Sequence, residues 1–406
     1  AGVDHEGHDA PVSLSSQLDG GALGAWFASR FPGTERLAQS ITTAALRVDP
    51  VRPVEPVEPE HWAEVGGAFR ARLALLVDGA PPYNALLGLV RAGLVSREWA
   101  DRTAASFPAH RGLDACRAER ALEWRPAPGG WVDLAGPVEE SPSTRHEPVL
   151  TEFFGRLVRY LDGHAAAGIL GTPNVEAGFA RMCALLAGWA ADELPEKLAA
   201  LHASEDYTVD DLWDLPEEAV VVELAELAER LRQNQGDPRD RPLEQWRGWG
   251  HDYAEPAGPA ALKRAGTGQA GSGLPAGVWG VSAPVLVPRW AEADLLVGSR
   301  LLDVGMSADF DEPDRVARGL WRLAAYTWLD TTDRYRVHAV GFYLARHGLH
   351  VTWDATTFTR ALLGSAKGVD SARREFLRLA RKVIPAEGAH PPNTGRKVPI
   401  PWRPRA

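Results

Sequence analysis

Up to about Arg232 the apolar residues recur at a spacing of three to four, the period of helices that bury one face. Helices are predicted over Leu18–Phe31, Thr34–Arg47, His61–Val77 and Asn84–Arg91, with Pro or Gly breaks between them. Val149–Asp162, Asn174–Glu193 and Val220–Gln233 continue the pattern, and Thr172-Pro-Asn-Val-Glu176 gives the second of these a cap-like start. The run Pro50-Val-Arg-Pro-Val-Glu-Pro-Val-Glu-Pro59 cannot be helical and is expected to lie extended as a spacer. Arg125–Thr144, rich in Pro and Gly, marks a boundary.

From Val278 the period changes to that of strands. Val278–Val287, Ala293–Val297 and Arg300–Val304 are predicted strands, the last two joined by Gly298-Ser299, a connection suited to a tight hairpin. Asp311-Glu-Pro-Asp314 caps a helix over Arg315–Leu329, with Val316, Leu320, Leu323, Ala324 and Thr327 on one stripe. A second hairpin joins Val337–Leu344 to Leu349–Trp353, and helices over Phe358–Gly364 and Ser371–Val383 follow. This order predicts an α/β fold with an α+β tendency. Its parts are a helical N-terminal region over 1–140, a second helical region over 141–250, and a mixed-sheet α/β domain over 251–406 with a basic C-terminal helix and tail.

Composition narrows the classes. With 406 residues, 45% hydrophobic and 24% charged, the chain is expected to be globular rather than disordered over most of its length. No apolar run approaches the roughly 20 residues of a membrane helix. The first residues have neither the basic start nor the apolar stretch of a secretory signal, so a cytoplasmic location is the expectation. Cys116 and Cys183 are too few for a disulfide framework or a cysteine zinc site and are expected to be core thiols. Gly266-Thr-Gly-Gln-Ala-Gly271 matches a dinucleotide fingerprint in letters only, because neither a strand nor a helix flanks it. His5, Glu6, His8 and Asp9 form a cluster suited at most to adventitious metal. The acidic section from Asp192 to Glu218 reads as a solvated face, since its spacing does not fit a calcium loop.

The net charge of −10 argues against a general nucleic-acid coat, but it is unevenly spread. From Arg360 onward eleven basic residues accompany three acidic ones, giving that segment +8 and the remainder −18. The segment reads as a phosphate-binding face or as a solvated basic helix and tail. Among the 44 basic residues only Lys197, Lys263, Lys367, Lys382 and Lys397 are lysine, so a functional lysine would stand out.

The hairpin at Gly298-Ser299 sets Asp294 opposite Asp303, and directly opposed carboxylates repel. A divalent cation is a common compensation, so Mg²⁺ held by Asp294, Asp303 and the Val304 carbonyl is one expectation; the other is a carboxylate that caps the sheet edge in solvent.

Glu292-Ala-Asp294-Leu-Leu-Val-Gly298, Leu301-Leu-Asp303-Val-Gly305 and the helix bearing Trp321-Arg322-Leu-Ala-Ala-Tyr326 resemble the core of the PD-(D/E)xK nuclease superfamily, in particular its RecB-like exonuclease branch. The resemblance covers Val278 to Trp353 and implies a restriction-endonuclease-like core. It also implies Mg²⁺-dependent phosphodiester hydrolysis of nucleic acid, DNA foremost. By this resemblance Asp294 and Asp303 match the two metal carboxylates and Tyr326 the tyrosine of the helix motif, with Glu176 or Glu255 as an additional metal-binding Glu. Gly305 stands where the family has its lysine, and Arg322 where it has a glutamine. Lys263 is the nearest upstream lysine. Arginine binds phosphate but is a poor proton shuttle. Two function classes follow: a metal-dependent nuclease, or a lapsed pseudoenzyme acting as a nucleic-acid- or protein-binding adaptor, with the helical N-terminal portion carrying a protein partner. The pairs Trp246/Trp249 and Trp279/Trp290 are candidate base-stacking surfaces or core residues.

Overall fold

The computed structural model describes residues 13–53, 57–77, 81–107, 144–165, 173–191, 193–235, 280–287, 290–297, 299–308, 313–331, 333, 335, 337–365 and 367–389. Its helices are α1 (Leu14–Gly20), α2 (Ala22–Arg30), α3 (Thr34–Ala45), α4 (Pro59–Val77), α5 (Tyr83–Arg91), α6 (Arg97–Ala105), α7 (Glu147–Ala165), α8 (Pro173–Ala190), α9 (Glu196–Ala203), α10 (Val209–Asp214), α11 (Glu218–Gln235), α12 (Pro313–Leu329), α13 (Ala355–Leu363) and α14 (Val369–Ala386). The strands are β1 (Gly280–Ser282), β2 (Val285–Val287), β3 (Ala291–Glu292), β4 (Leu295–Val297), β5 (Arg300–Gly305), β6 (Ala339–Leu344) and β7 (Leu349–Asp354).

The chain is a mixed α/β protein. Among the described residues its main sheet has five strands in the order β1-β4-β5-β6-β7, antiparallel except for the β5–β6 pair, which α12 connects in parallel. Leu295 lies opposite Leu302, Leu296 opposite Leu301 and Val297 opposite Arg300, the register expected from a two-residue connection.

Two elements differ from expectation for identifiable reasons. The helix expected over Leu18–Phe31 is two helices, because Gly20-Gly21 withdraws helix propensity and Gly21 adopts an extended conformation. The single strand expected over Val278–Val287 divides at Ala283-Pro284: Ala283 has φ +46° and Pro284 lacks an N–H. β1 therefore joins the main sheet, while β2 pairs with β3 in a separate ribbon.

Side-chain alternation along the strands assigns each residue to a face. Leu295, Val297, Leu302, Val304 and Tyr343 share a core with residues of α4, α5, α7, α8 and α11. Leu296, Leu301, Val340, Phe342 and Leu344 share the other core with α1–α3 and α12–α14. Asp303, in phase with Leu301, thus faces α12. That helix approaches closely because residue 319 is glycine: a Cβ there would stand 3.0 Å from the Phe342 ring.

The two layers are tied together by Arg346, whose side chain is fully buried. Its Nε donates to the Met306 carbonyl at 2.7 Å and its Nη1 to the Val51 carbonyl at 3.0 Å, while its Nη2 pairs with Glu223 of α11. Its guanidinium lies 4.2 Å from the Trp62 ring centroid, and His61 completes the cluster at 2.7 Å from Glu223. Cys183 is buried, as expected, and burial raises its thiol pKa well above the ordinary value. Asp206, Asp210, Asp211, Asp214, Glu217 and Glu218 are exposed, which fits a solvated acidic face. Among the described residues no helix is long and apolar enough to cross a membrane.

Candidate functional site

At its C-terminal end β5 loses its antiparallel neighbour. The chain at Ala293 and Asp294 turns toward Ala283 and Pro284, with Ala283 N–H donating to Asp294 O at 2.9 Å and Ala293 N–H to Pro284 O at 3.0 Å. Continuing the ladder would place residue 293 opposite Val304. Instead the Asp294 carboxylate fills the gap, its Oδ2 accepting the Val304 N–H at 2.7 Å. Val304 therefore meets Asp294 through its N–H. Asp294 also lies 3.5 Å from Arg70 Nε of α4. Burial pushes the Asp294 carboxyl up to about 6; the Arg70 charge opposes the rise and the neighbouring Asp303 charge adds to it.

Asp303 is buried and is held by Arg322. Nε and Nη2 of that arginine reach the same carboxylate oxygen, Oδ2, at 2.9 and 2.5 Å. The Asp303 charge in turn holds the Arg322 guanidinium above its already high ordinary pKa. One helical turn on, Tyr326 is buried with its hydroxyl donating to the Glu292 carbonyl at 2.6 Å. Burial raises this phenol well above its ordinary pKa, so it stays protonated. It acts as a strut from α12 to the segment that carries Asp294.

Arg70, Asp303, Val304 and Arg322 border a cleft of about 480 Å³. Four guanidinium groups line it, those of Arg70, Arg315, Arg318 and Arg322, with Asp303 and Asp19 as its carboxylates. Leu18, Ile41, Val316, Phe342 and Leu344 supply apolar wall. Arg315, Arg318 and Arg322 follow i, i+3, i+7 spacing and so share one face of α12, spanning about 10 Å of helix. Arg318 pairs with Asp19 of α1 at 2.7 Å, and Arg315 reaches the Ser307 hydroxyl at 3.5 Å. Gly305 lies in the wall, where a Cβ would meet Leu344 Cδ2 at 3.2 Å, so the position has room for a side chain with a small adjustment of Leu344.

The residues singled out from the sequence come together in part. Asp303, Val304, Gly305 and Arg322 line this cleft, while Asp294 joins them through the Val304 N–H and Tyr326 lies behind, bonded to the Glu292 carbonyl. Glu176 does not join them: it sits in the helical core, where Arg72 holds its two oxygens at 2.9 and 3.2 Å and Arg232 adds a contact at 3.1 Å. Trp290 is a core residue whose indole donates to Glu387 at 2.5 Å, not a stacking surface. Cys116, Trp246, Trp249, Glu255, Lys263, Trp279, the cluster at His5–Asp9 and the Gly266–Gly271 match lie outside the described residues. Arg315 and Arg318 are functional candidates that only their spacing from Arg322 marks in the sequence. Arg70 left no such signal, because only the tertiary fold brings α4 to the end of β5.

A magnesium ion fits these donors poorly. Both carboxylates already have guanidinium partners, Asp303 in Arg322 and Asp294 in Arg70. Among the described residues no group of three or more His, Cys, Asp or Glu side chains could hold a metal ion. Comparison of the chain with protein-family models, with curated proteins and with solved structures yields no match.

Proposed function

We propose that this chain is a nuclease-fold pseudoenzyme that binds nucleic-acid phosphates in the arginine-lined cleft and does not hydrolyse them. The sheet order, with a helix crossing between β5 and β6 and the neighbouring charges of Asp294 and Asp303 at the end of the hairpin before it, supports a restriction-endonuclease-like core. The observation that carries the loss of hydrolysis is the seat of Arg322 on Asp303. A divalent cation would have to share that carboxylate with a guanidinium that donates two hydrogen bonds to its Oδ2, so it would meet an already neutralised charge and a neighbouring positive one. Gly305 adds no charge or proton donor where the resembled family has its lysine. The same arginines suit phosphate: Arg315 and Arg318 extend the charged face beyond Arg322, and guanidinium groups engage phosphate oxygens in bidentate fashion.

The test combines binding and cleavage. Fluorescence anisotropy with labelled single- and double-stranded DNA and RNA should show binding that weakens in an Arg315→Glu/Arg318→Glu variant, with no cleavage in Mg²⁺ or Mn²⁺. Metal-dependent cleavage abolished by Asp303→Ala would overturn the pseudoenzyme reading, and binding unaffected by the arginine variant would overturn the cleft as the phosphate site.

A further inference from the structure

We propose that the outer face of α14 is a second docking surface, for the phosphodiester backbone of a nucleic acid, built from Arg374, Arg378, Arg381 and Lys382. All four side chains are exposed. At 100° per residue they fall within one quadrant or so of the helix, while Ala372, Phe376, Ala380, Val383 and Ile384 are buried on the opposite side. The buried face fixes the rotation of α14, so the basic stripe points outward whatever else binds.

The stripe lacks internal compensation. Among the described residues none of its four side chains forms an ion pair, and Arg374 makes only a hydrogen bond from Nε to the Asp370 carbonyl at 3.2 Å. The one acidic residue within the helix body, Glu375, is taken up by Arg30 of α2 at 3.3 Å. This local excess belongs to the segment that carries +8 in a chain whose remainder carries −18, so the charge is concentrated rather than spread. From residue 374 to 382 the helix rises about 12 Å, the axial length of three to four phosphates on one DNA strand.

The surface is polar where a membrane would require apolar groups. The apolar side of α14 is in the core, and partly buried Leu377 and Leu379 pack against that core, which leaves no wedge for insertion into lipid. The stripe is also distinct from the cleft. Phe376 of α14 packs on Trp328 at a ring-centroid distance of 5.4 Å, and Trp328 lies about 9 Å along α12 beyond Arg322. The two surfaces share no residue, so either stands if the other fails.

The experiment measures anisotropy of labelled oligo-dT with the full chain between about 50 and 200 mM salt. Charge reversal in Arg374→Glu/Arg378→Glu/Arg381→Glu/Lys382→Glu should lower affinity at least tenfold at the low-salt end. It should reduce the slope of log affinity against log salt by about 3, from four contacts at about 0.7 each. A milder Arg378→Gln/Arg381→Gln variant should show about half that slope change with an unchanged melting temperature. The Arg315→Glu/Arg318→Glu cleft variant should keep the stripe-dependent part of the slope. Wild-type affinity and slope in both stripe variants would overturn the proposal. So would binding to phosphatidylserine vesicles without binding to oligo-dT, or competition by poly-glutamate equal to that by unlabelled oligo-dT.

Discussion

Arg322 and Asp303 form a one-oxygen clamp: both guanidinium donors converge on Oδ2, leaving the arginine partly exposed at the cleft and the carboxylate 5% exposed beneath it. Removing the cation leaves a buried charge without its partner. Arg322→Gln should therefore lower stability by about 1–3 kcal/mol. In the double variant with Asp303→Asn, part of that loss should return, because the uncompensated charge is gone. Urea denaturation of the two single variants and the double variant gives the coupling directly.

Under the proposed nuclease-fold reading, Gly305 is the position at which a lysine tests the site. A Cβ at this position meets only Leu344 Cδ2 within 3.4 Å, so Gly305→Lys should fold, at a cost of about 1 kcal/mol or less. Alone it should not restore cleavage, since Arg322 still occupies Asp303. Together with Arg322→Gln it should bring Mg²⁺-dependent cleavage of single-stranded DNA, detected on a denaturing gel. A double variant that folds and binds DNA but never cleaves would count against the nuclease-like placement of Asp294 and Asp303.

The hairpin register was legible in the sequence because the two-residue connection and the alternation of Leu, Leu and Val leave a single pairing that buries both faces. That register alone brings Asp294 and Asp303 to the same strand ends. The sequence did not reveal what neutralises them. Arg70 is more than two hundred residues away along the chain and reaches the site only because α4 packs against the sheet. Glu176 looked like a spare carboxylate in a linear reading, but a buried charge with two arginine partners is indistinguishable by sequence from a ligand. The short helices α6, α9 and α10 left a weaker pattern: they bury three, two and two residues, whereas the nine-residue α5 buries seven.

Arg346 fixes the wall of the cleft from behind. It holds the carbonyl of Met306, a cleft residue, while its charge is balanced by Glu223 from the helical layer. Arg346→Ala should cost about 3–5 kcal/mol, because it strands a buried carboxylate and two carbonyls at once. Glu223→Gln should cost less, since it keeps the side-chain shape. The midpoint of chemical denaturation reads both. Loss of anion affinity in Glu223→Gln at unchanged secondary structure would show that this cluster positions the cleft.

His202 gives the fold an acid limit. The Trp189 indole can only donate, so at 3.0 Å from Nε2 it requires that nitrogen to accept, which leaves the proton on Nδ1 for the Tyr207 hydroxyl at 3.0 Å. Burial, followed by the charges of His146 and Arg145, holds His202 down to about 4. The unfolded chain takes up this proton from about pH 6.5 downward, whereas the folded chain resists to about 4. Stability is therefore present above 6.5 and is lost as pH falls through that window, by on the order of 3 kcal/mol. Melting temperature should drop between pH 7 and 4.5, and less steeply in His202→Gln.

Asp294 titrates in the opposite sense over an overlapping window. Its folded pKa of about 6 lies above the ordinary carboxylate value. The folded chain thus binds this proton more tightly than the unfolded one. The resulting stabilisation is fully present below about pH 4 and is lost as pH rises through 6. Because the side chain is 26% exposed, the effect should be about 1–2 kcal/mol rather than the full value of the shift. The ionisation also matters for ligands. Below pH 6 a neutral Asp294 leaves Arg70 without a counter-charge at the edge of the cleft, so anion affinity should rise as pH falls from 7 to 5.5. Asp294→Asn, which keeps an oxygen to accept the Val304 N–H, should hold affinity high across that range. Inorganic phosphate or oligo-dT titrated against both chains at fixed salt distinguishes this from a general charge effect, which would give the two the same pH profile.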